Sequence, residues 1–296
     1  MKEPCEVTEQ VKNLYENVGW TVIGDKTYDA ETSEDLRAGS RKYVSACRLR
    51  VLRHLPQGGE RLLDMASGPV QYAEYLEYSA GFDFRVCVDL SQRALDMAKA
   101  KLGSRGEYHA GDFLDLVIAP VDAAVSLHTI YHIHRDRQEA AVRKLIAVTK
   151  PGGTIVVIYS NPAYLISSAF APLRRFARII LRGLINRGTK DTLYFYRHPL
   201  SWWDRFRDSG TVRIYPWRTF TSRDQKALIP DNRLGTGMLS LLFRLEDKYP
   251  RFFTAVGCYP MIVIEKAIES GQSENGLINR TPKAFVTAFG LWESKT

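Results

Sequence analysis

Between residues 60 and 160 the chain alternates short apolar runs with longer stretches in which apolar residues recur at helical spacing. Residues 61–64 (RLLD), 84–89 (FRVCVD), 121–126 (VDAAVS) and 154–159 (TIVVIY) are short, largely apolar or β-branched and bounded by turn residues, which predicts buried strands. Residues 70–78, 91–102 and 137–148 lie between them with helical periodicity, and the last puts Ala140, Ala141, Leu145 and Val148 on one stripe. Strand, helix and strand at this rhythm predict an α/β fold with a doubly wound, mostly parallel sheet. Ahead of it, residues 7–55 predict two or three helices, the last marked by Val44, Cys47, Leu49, Val51, Leu52 and Leu55. Beyond it, residues 161–210 read as helical and aromatic. Residues 211–217 and 260–266 read as a terminal antiparallel strand pair, with an insertion between them that carries a helix near 237–248.

Composition narrows the class. The 296 residues are 45% hydrophobic and 25% charged, without repeats or a Gly/Ser-rich or Pro-rich linker, which excludes fibrous, low-complexity and mostly disordered readings. No apolar run approaches the ~18 residues that span a bilayer, and the start, MKEPCEVTEQVK, is charged where a signal peptide is apolar, so a cytoplasmic location is expected. Cys5, Cys47, Cys87 and Cys258 are far apart with no C-x-x-C pair, so neither a disulfide framework nor a metal site is expected. Charge is uneven: residues 1–160 hold 20 Lys/Arg and 22 Asp/Glu, residues 161–296 hold 21 and 11. An anionic partner would meet the second part first.

The sharpest local signal is Leu62-Leu63-Asp64-Met65-Ala66-Ser67-Gly68-Pro69-Val70, a buried strand ending in an acid and then in small residues before a helix. Small residues let the backbone of a first strand-to-helix turn approach a ligand in the crevice where open parallel sheets bind. Twenty-one residues past Gly68 the second strand ends in Asp89, where a carboxylate can accept from ribose hydroxyls.

With these residues the sequence resembles the class I S-adenosylmethionine-dependent methyltransferases over about residues 60–160. Asp64 and Gly68 match the acid and central glycine of that family's first motif, and Asp89-Leu90 its ribose-binding acid. Gly111-Asp112-Phe113 match the adenine segment, Asp122–Ile133 the fourth strand and its exit, and Thr149–Gly153 the turn into the fifth strand. The resemblance implies a seven-stranded Rossmann-like sheet and S-adenosylmethionine held by Asp64, Ala66, Ser67, Gly68, Asp89, Leu90, Asp112, Phe113, Ser126 and Leu127. Ala66 and Val70 depart from the family's glycines, and Val70 would tighten the loop near the methionine moiety. The organisation expected is a helical N-terminal lid (1–58), a cofactor-binding core (59–160) and an acceptor side (161–296) with an insertion at 219–259, in one compact domain. Tyr28, Arg41 and Tyr43 are candidates to close over the cofactor.

Methyl transfer to a hydroxyl needs somewhere for a proton to go. His128, Tyr131, His132 and His134 cluster at the exit of the fourth strand, and His128 and His132 would share a face if that exit were helical. His132 is the candidate base, with His128 beside it in the cofactor shell and Tyr131 facing the acceptor; both histidines have a packing alternative. The run Tyr194–Phe206 is aromatic and basic, so Arg197, His198 and Trp202 are acceptor candidates, against a reading in which these rings simply cover the sheet. Residues 163–188 form an amphipathic pattern with Arg174, Arg175, Arg178 and Arg182, which suits either a lid or an anionic membrane interface.

The function these residues favour is methylation of a hydroxyl on a small molecule or sugar, lipid-linked if the basic segment lies on a membrane. Nucleic-acid methylation is an alternative raised by the basic second part, opposed by the lack of an N/D-P-P-Y/F-like motif at Ser126-Leu127-His128-Thr129. A non-catalytic methyltransferase-like binder is a second alternative, since fold alone never establishes activity.

Overall fold

The computed structural model describes residues 3–17, 19–23, 26–29, 34–164 and 193–268. Helix α1 (Pro4–Asn17) leads to a two-stranded antiparallel hairpin, β1 (Trp20–Ile23) and β2 (Lys26–Asp29), and then to α2 (Ala38–Leu49), continued by a 3-10 turn over Arg50–Arg53. The expected all-helical lid therefore contains a hairpin: the run Trp-Thr-Val-Ile is β-branched and aromatic, a strand former that the helix reading passed over.

The central third follows the expected alternation. It comprises β3 (Gly59–Met65), α3 (Ala73–Glu77), β4 (Phe82–Asp89), α4 (Gln92–Leu102), β5 (Gly106–Ala110), β6 (Val121–Leu127), α5 (Arg135–Val148) and β7 (Thr149–Ile158). After a 3-10 segment at Leu200–Asp208 come β8 (Gly210–Arg218), the insertion helices α6 (Ser222–Leu228), α7 (Arg233–Lys248) and α8 (Pro250–Val256), and β9 (Tyr259–Lys266). The seven long strands form one sheet in the order β5-β4-β3-β6-β7-β9-β8, parallel except for β9, which pairs antiparallel with both neighbours.

Successive residues of a central strand serve opposite faces, as the pleat requires. Leu63 packs with Ala141 and Leu145 of α5, while its neighbour Leu62 packs with Val51 and Phe243 under α2 and α7. Both faces are covered, which is why the strands read as unbroken apolar runs.

Residues 193–208 differ from the expected helical form. Residues 193–199 have no regular structure and Leu200–Asp208 is 3-10. Trp203 and Phe206 are fully buried against the α5 face, so aromatic burial, and not helical propensity, orders this segment. The basic pattern at 163–188 falls almost wholly outside the described residues. Among the described residues no helix is long and apolar enough to cross a membrane.

Candidate functional site

At the C-terminal end of the parallel strands, where the order reverses between β3 and β6, lies a cavity of about 560 Å3. Its floor is the turn after β3. Ala66 (φ 59°), Gly68 (φ 54°) and Val70 (φ 46°) are all left-handed, a conformation that costs a residue with a Cβ roughly 1–2 kcal/mol. The surroundings enforce it: Ser67 N donates to the Val88 carbonyl at 3.1 Å, and the Lys101 ammonium donates to the Pro69 and Val70 carbonyls, each at 2.9 Å. A Cβ at Gly68 would stand 2.9 Å from the Trp20 indole, so glycine is required there on two counts.

Asp89 closes the turn from β4. One carboxylate oxygen accepts from Gly68 N at 2.8 Å and the other from Ser91 N at 2.9 Å. Each oxygen keeps a second lone pair for a ligand hydroxyl. Burial pushes this carboxyl up to about 6, against the pull of those backbone donors. Asp112 accepts from Leu114 N at 2.9 Å and from Arg137 at 2.8 Å, and Phe113, 4% exposed, walls the same end. Ala66, Ser67, Gly68, Asp89, Leu90, Asp112, Phe113 and Leu127 all line the cavity.

Two residues expected at the cofactor do not line it. The Asp64 side chain turns under the sheet to Arg85 on β4 at 2.5 Å, where its charge is compensated, and Ser126 is fully buried with its hydroxyl unpaired.

The exit of β6 is not α-helical. His128 is left-handed (φ 60°) and Ile130–His132 form a single 3-10 turn, so the two histidines do not share a helix face. They reach one cavity by different routes, His128 with its ring edge-on to Trp217 and Tyr259 and Nδ1 3.1 Å from the Tyr131 hydroxyl. His132 Nδ1 donates to the Tyr194 carbonyl at 2.8 Å, which fixes the tautomer and leaves Nε2 as the acceptor. Burial lowers His132 to about 4; burial and the nearby Arg218 guanidinium lower His128 to about 3, so both rings are neutral near pH 7.

Of the expected acceptor residues, Tyr131 lines the cavity, whereas Arg197, His198 and Trp202 do not. Arg197 donates to the Asn161 carbonyl, and His198 stacks on Trp202 at 4.4 Å, with Trp202 itself packed into the core. Tyr43 is likewise withdrawn, donating to buried Glu246. In their place the cavity has Tyr15 and Trp20 from the N-terminal segment, Arg48 from α2, and Trp217, Arg218 and Tyr259 from the last two strands. Trp217 and Arg218 carry no motif; the one available signal is the aromatic and cationic density of residues 215–218 at a strand end.

Residues 63–157 match the methyltransferase domain family. Among solved structures, DhpI in complex with SAH superposes with a TM-score of 0.52 at 14% identity, covering 88% of this chain and 97% of that one. An S-adenosylmethionine-dependent methyltransferase from Archaeoglobus fulgidus gives 0.47 at 16% identity, covering 77% and 94%. Haemonchus contortus phosphoethanolamine N-methyltransferase 2, in complex with phosphomonomethylethanolamine and SAH, gives 0.46 at 16%, covering 74% and 52%. At 14% identity the likeness to DhpI speaks to the fold alone. No curated protein sequence matches the chain.

Proposed function

For a chain built around a class I S-adenosylmethionine-dependent methyltransferase domain, we propose that the reaction is methylation of a hydroxyl on a small molecule or sugar, with His132 as the base. The bound cofactor supplies an electrophilic methyl group on a sulfonium. The chain's own residues fit that group: Asp89 offers free lone pairs at the strand end, Phe113 walls the adenine side, and Gly68 keeps the turn left-handed with the Trp20 ring packed against it. Asp112 retains acceptor capacity beside Arg137.

The observation that carries the hydroxyl reading is the His132 tautomer. Its Nδ1 proton is committed to the Tyr194 carbonyl, so Nε2 is a bare acceptor in the cavity, neutral across the physiological range. An acceptor hydroxyl that approached the methyl group beside Tyr131 could pass its proton to that nitrogen. The rings of Trp20, Phe195 and Tyr131 line the same cavity.

The test uses methyl-tritiated cofactor with a panel of small alcohols, phenols and sugars. Label should enter a hydroxyl acceptor, and His132→Ala should lower that rate about a hundredfold or more with SAH affinity unchanged. Transfer only to amines, or an unaltered rate in the variant, discards the proposed reaction or the proposed base respectively.

A further inference from the structure

Three arginines are buried among the described residues, and two of them have carboxylate partners. Arg50 meets Glu246 at 2.7 Å and Asp247 at 3.1 Å, and Arg85 meets Asp64 at 2.5 Å. The third, Arg218, is 8% exposed, lines the cavity, and has no carboxylate within 4 Å among the described residues; its Nε has no hydrogen-bond partner. A buried cation is normally kept only with a counter-charge. Resting on the methyltransferase reading, we propose that Arg218 anchors an oxyanion of the methyl acceptor, so that the substrate is a small molecule bearing a carboxylate or a phosphoryl group.

The placement is built. β8 and β9 slip register between Pro216, opposite Pro260, and Arg218, opposite Tyr259, which leaves Trp217 as the extra residue of a bulge. In a regular strand neighbouring side chains would part to opposite faces, but here Trp217 and Arg218 both reach the cavity. Buried groups brace the bulge from behind. Arg50 donates to the Trp217 carbonyl at 2.8 Å, and Thr219 N donates to Glu246 at 3.0 Å.

Among the described residues the other charges nearby leave Arg218 as the unmatched one. Arg48 is balanced by Glu34 at 3.4 Å and Glu74 at 3.7 Å. Glu34 also feels the field of Arg218, but burial is the larger influence and raises its carboxyl. The Tyr259 hydroxyl beside Arg218 is held in its neutral form by burial, pushed up to about 12, and Cys258 likewise. Neither supplies a negative charge.

The site also indicates the acceptor's size. Arg218 lies 5.0 Å from the Tyr259 ring centre and 5.5 Å from that of Trp217, while His128 packs on the same two rings at 4.9 Å. An oxyanion forked by the guanidinium would thus stand about one ring's width from the histidine pair, with the two rings as flat walls for the body of the molecule.

The test is calorimetric titration of sodium benzoate and of inorganic phosphate, against sodium chloride at equal ionic strength, into the full-length protein. Arg218→Met, Arg218→Lys and Glu34→Gln are measured alongside, and SAH is titrated separately into each. Binding of benzoate or phosphate to the wild type, weakened tenfold or more in Arg218→Met and tightened in Glu34→Gln, supports the site, and the probe that binds identifies the oxyanion. Arg218→Lys keeps the charge and loses the fork, so it should bind less well than the wild type even if the methionine variant is poorly folded. No binding above chloride, or equal binding by the lysine and methionine variants and the wild type, overturns the proposal. Loss of SAH binding by the wild type would instead strike the methyltransferase reading and leave the anion result standing on its own.

Discussion

Arg85 on β4 donates to Asp64 on the neighbouring β3 at 2.5 Å, with both side chains at most 2% exposed. The pair ties the two strands together directly beneath the turn that carries Ala66 and Gly68, and the Arg85 guanidinium also reaches the Tyr75 carbonyl. Asp64 thus supports the floor of the cavity without touching its contents.

That geometry separates stability from binding. Asp64→Asn should cost about 3–5 kcal/mol of folding stability, because it strands a buried guanidinium, while the double change Asp64→Leu with Arg85→Met should recover most of the loss. Urea unfolding of the two variants checks this, and SAH affinity of the double variant should stay within a few-fold of the wild type.

At Gly68 the two constraints can be split. Gly68→Ala should weaken SAH at least tenfold, since its Cβ would meet the Trp20 ring at 2.9 Å. Adding Trp20→Ala removes the clash but leaves the left-handed backbone, worth about 1–2 kcal/mol for alanine, so recovery should be partial. Ala66→Gly releases the same strain and should raise the melting temperature.

Titration divides between binding and turnover. Asp89 holds its proton up to about 6 in the folded chain, above its ordinary 3.8, so the folded state binds more protons between those values. Its contribution to stability therefore falls as pH rises from near 4 to about 6 and is flat above. In the proposed ribose-binding role Asp89 would accept from ribose hydroxyls in its ionised form, so SAH affinity should rise with pH through about 6. His132, lowered to about 4, stays neutral over that span, and kcat should lose its base only below about pH 5. Separate pH profiles of SAH affinity and kcat in the wild type, with Asp89→Asn lacking the step near 6, test the assignment.

Arg50 and Glu246 hold the β8 bulge from behind, with Glu246 also accepting from the hydroxyls of Tyr43 and Thr219. Arg50→Met should cost about 3–5 kcal/mol by leaving that carboxylate buried and uncompensated. In the folded fraction the Trp217 environment should change, read as a shift in near-ultraviolet circular dichroism at the indole bands.

The parallel core was legible because its cues are local. Apolar runs at 61–64, 84–89 and 121–126 fall within β3, β4 and β6, the run at 154–159 overruns the end of β7 by one residue, and small residues with terminal acids mark the turns that line the cavity. Asp89 could be placed from sequence because it ends its strand and, among the described residues, backbone N–H groups rather than a side chain meet its carboxylate. Asp64 shows the limit: the residue that claims its carboxylate is 21 positions away on another strand, and no periodicity announces the pair. His198 and Trp202 show it again, since a ring that covers a sheet and a ring that faces a ligand have the same composition.

By itself, then, the sequence determined the doubly wound sheet, the small-residue turn after β3 and the acid at the end of β4, all set by steric and hydrophobic rules acting over a few residues. The tertiary structure alone decided which side chains furnish the cavity's far wall. Arg48, Trp217, Arg218 and Tyr259 come from α2 and from two strands separated by a three-helix insertion. Their meeting depends on strand order, on a register slip of one residue and on a buried ion pair between Arg50 and Glu246, and each of these is a long-range contact whose energy is not written in local spacing.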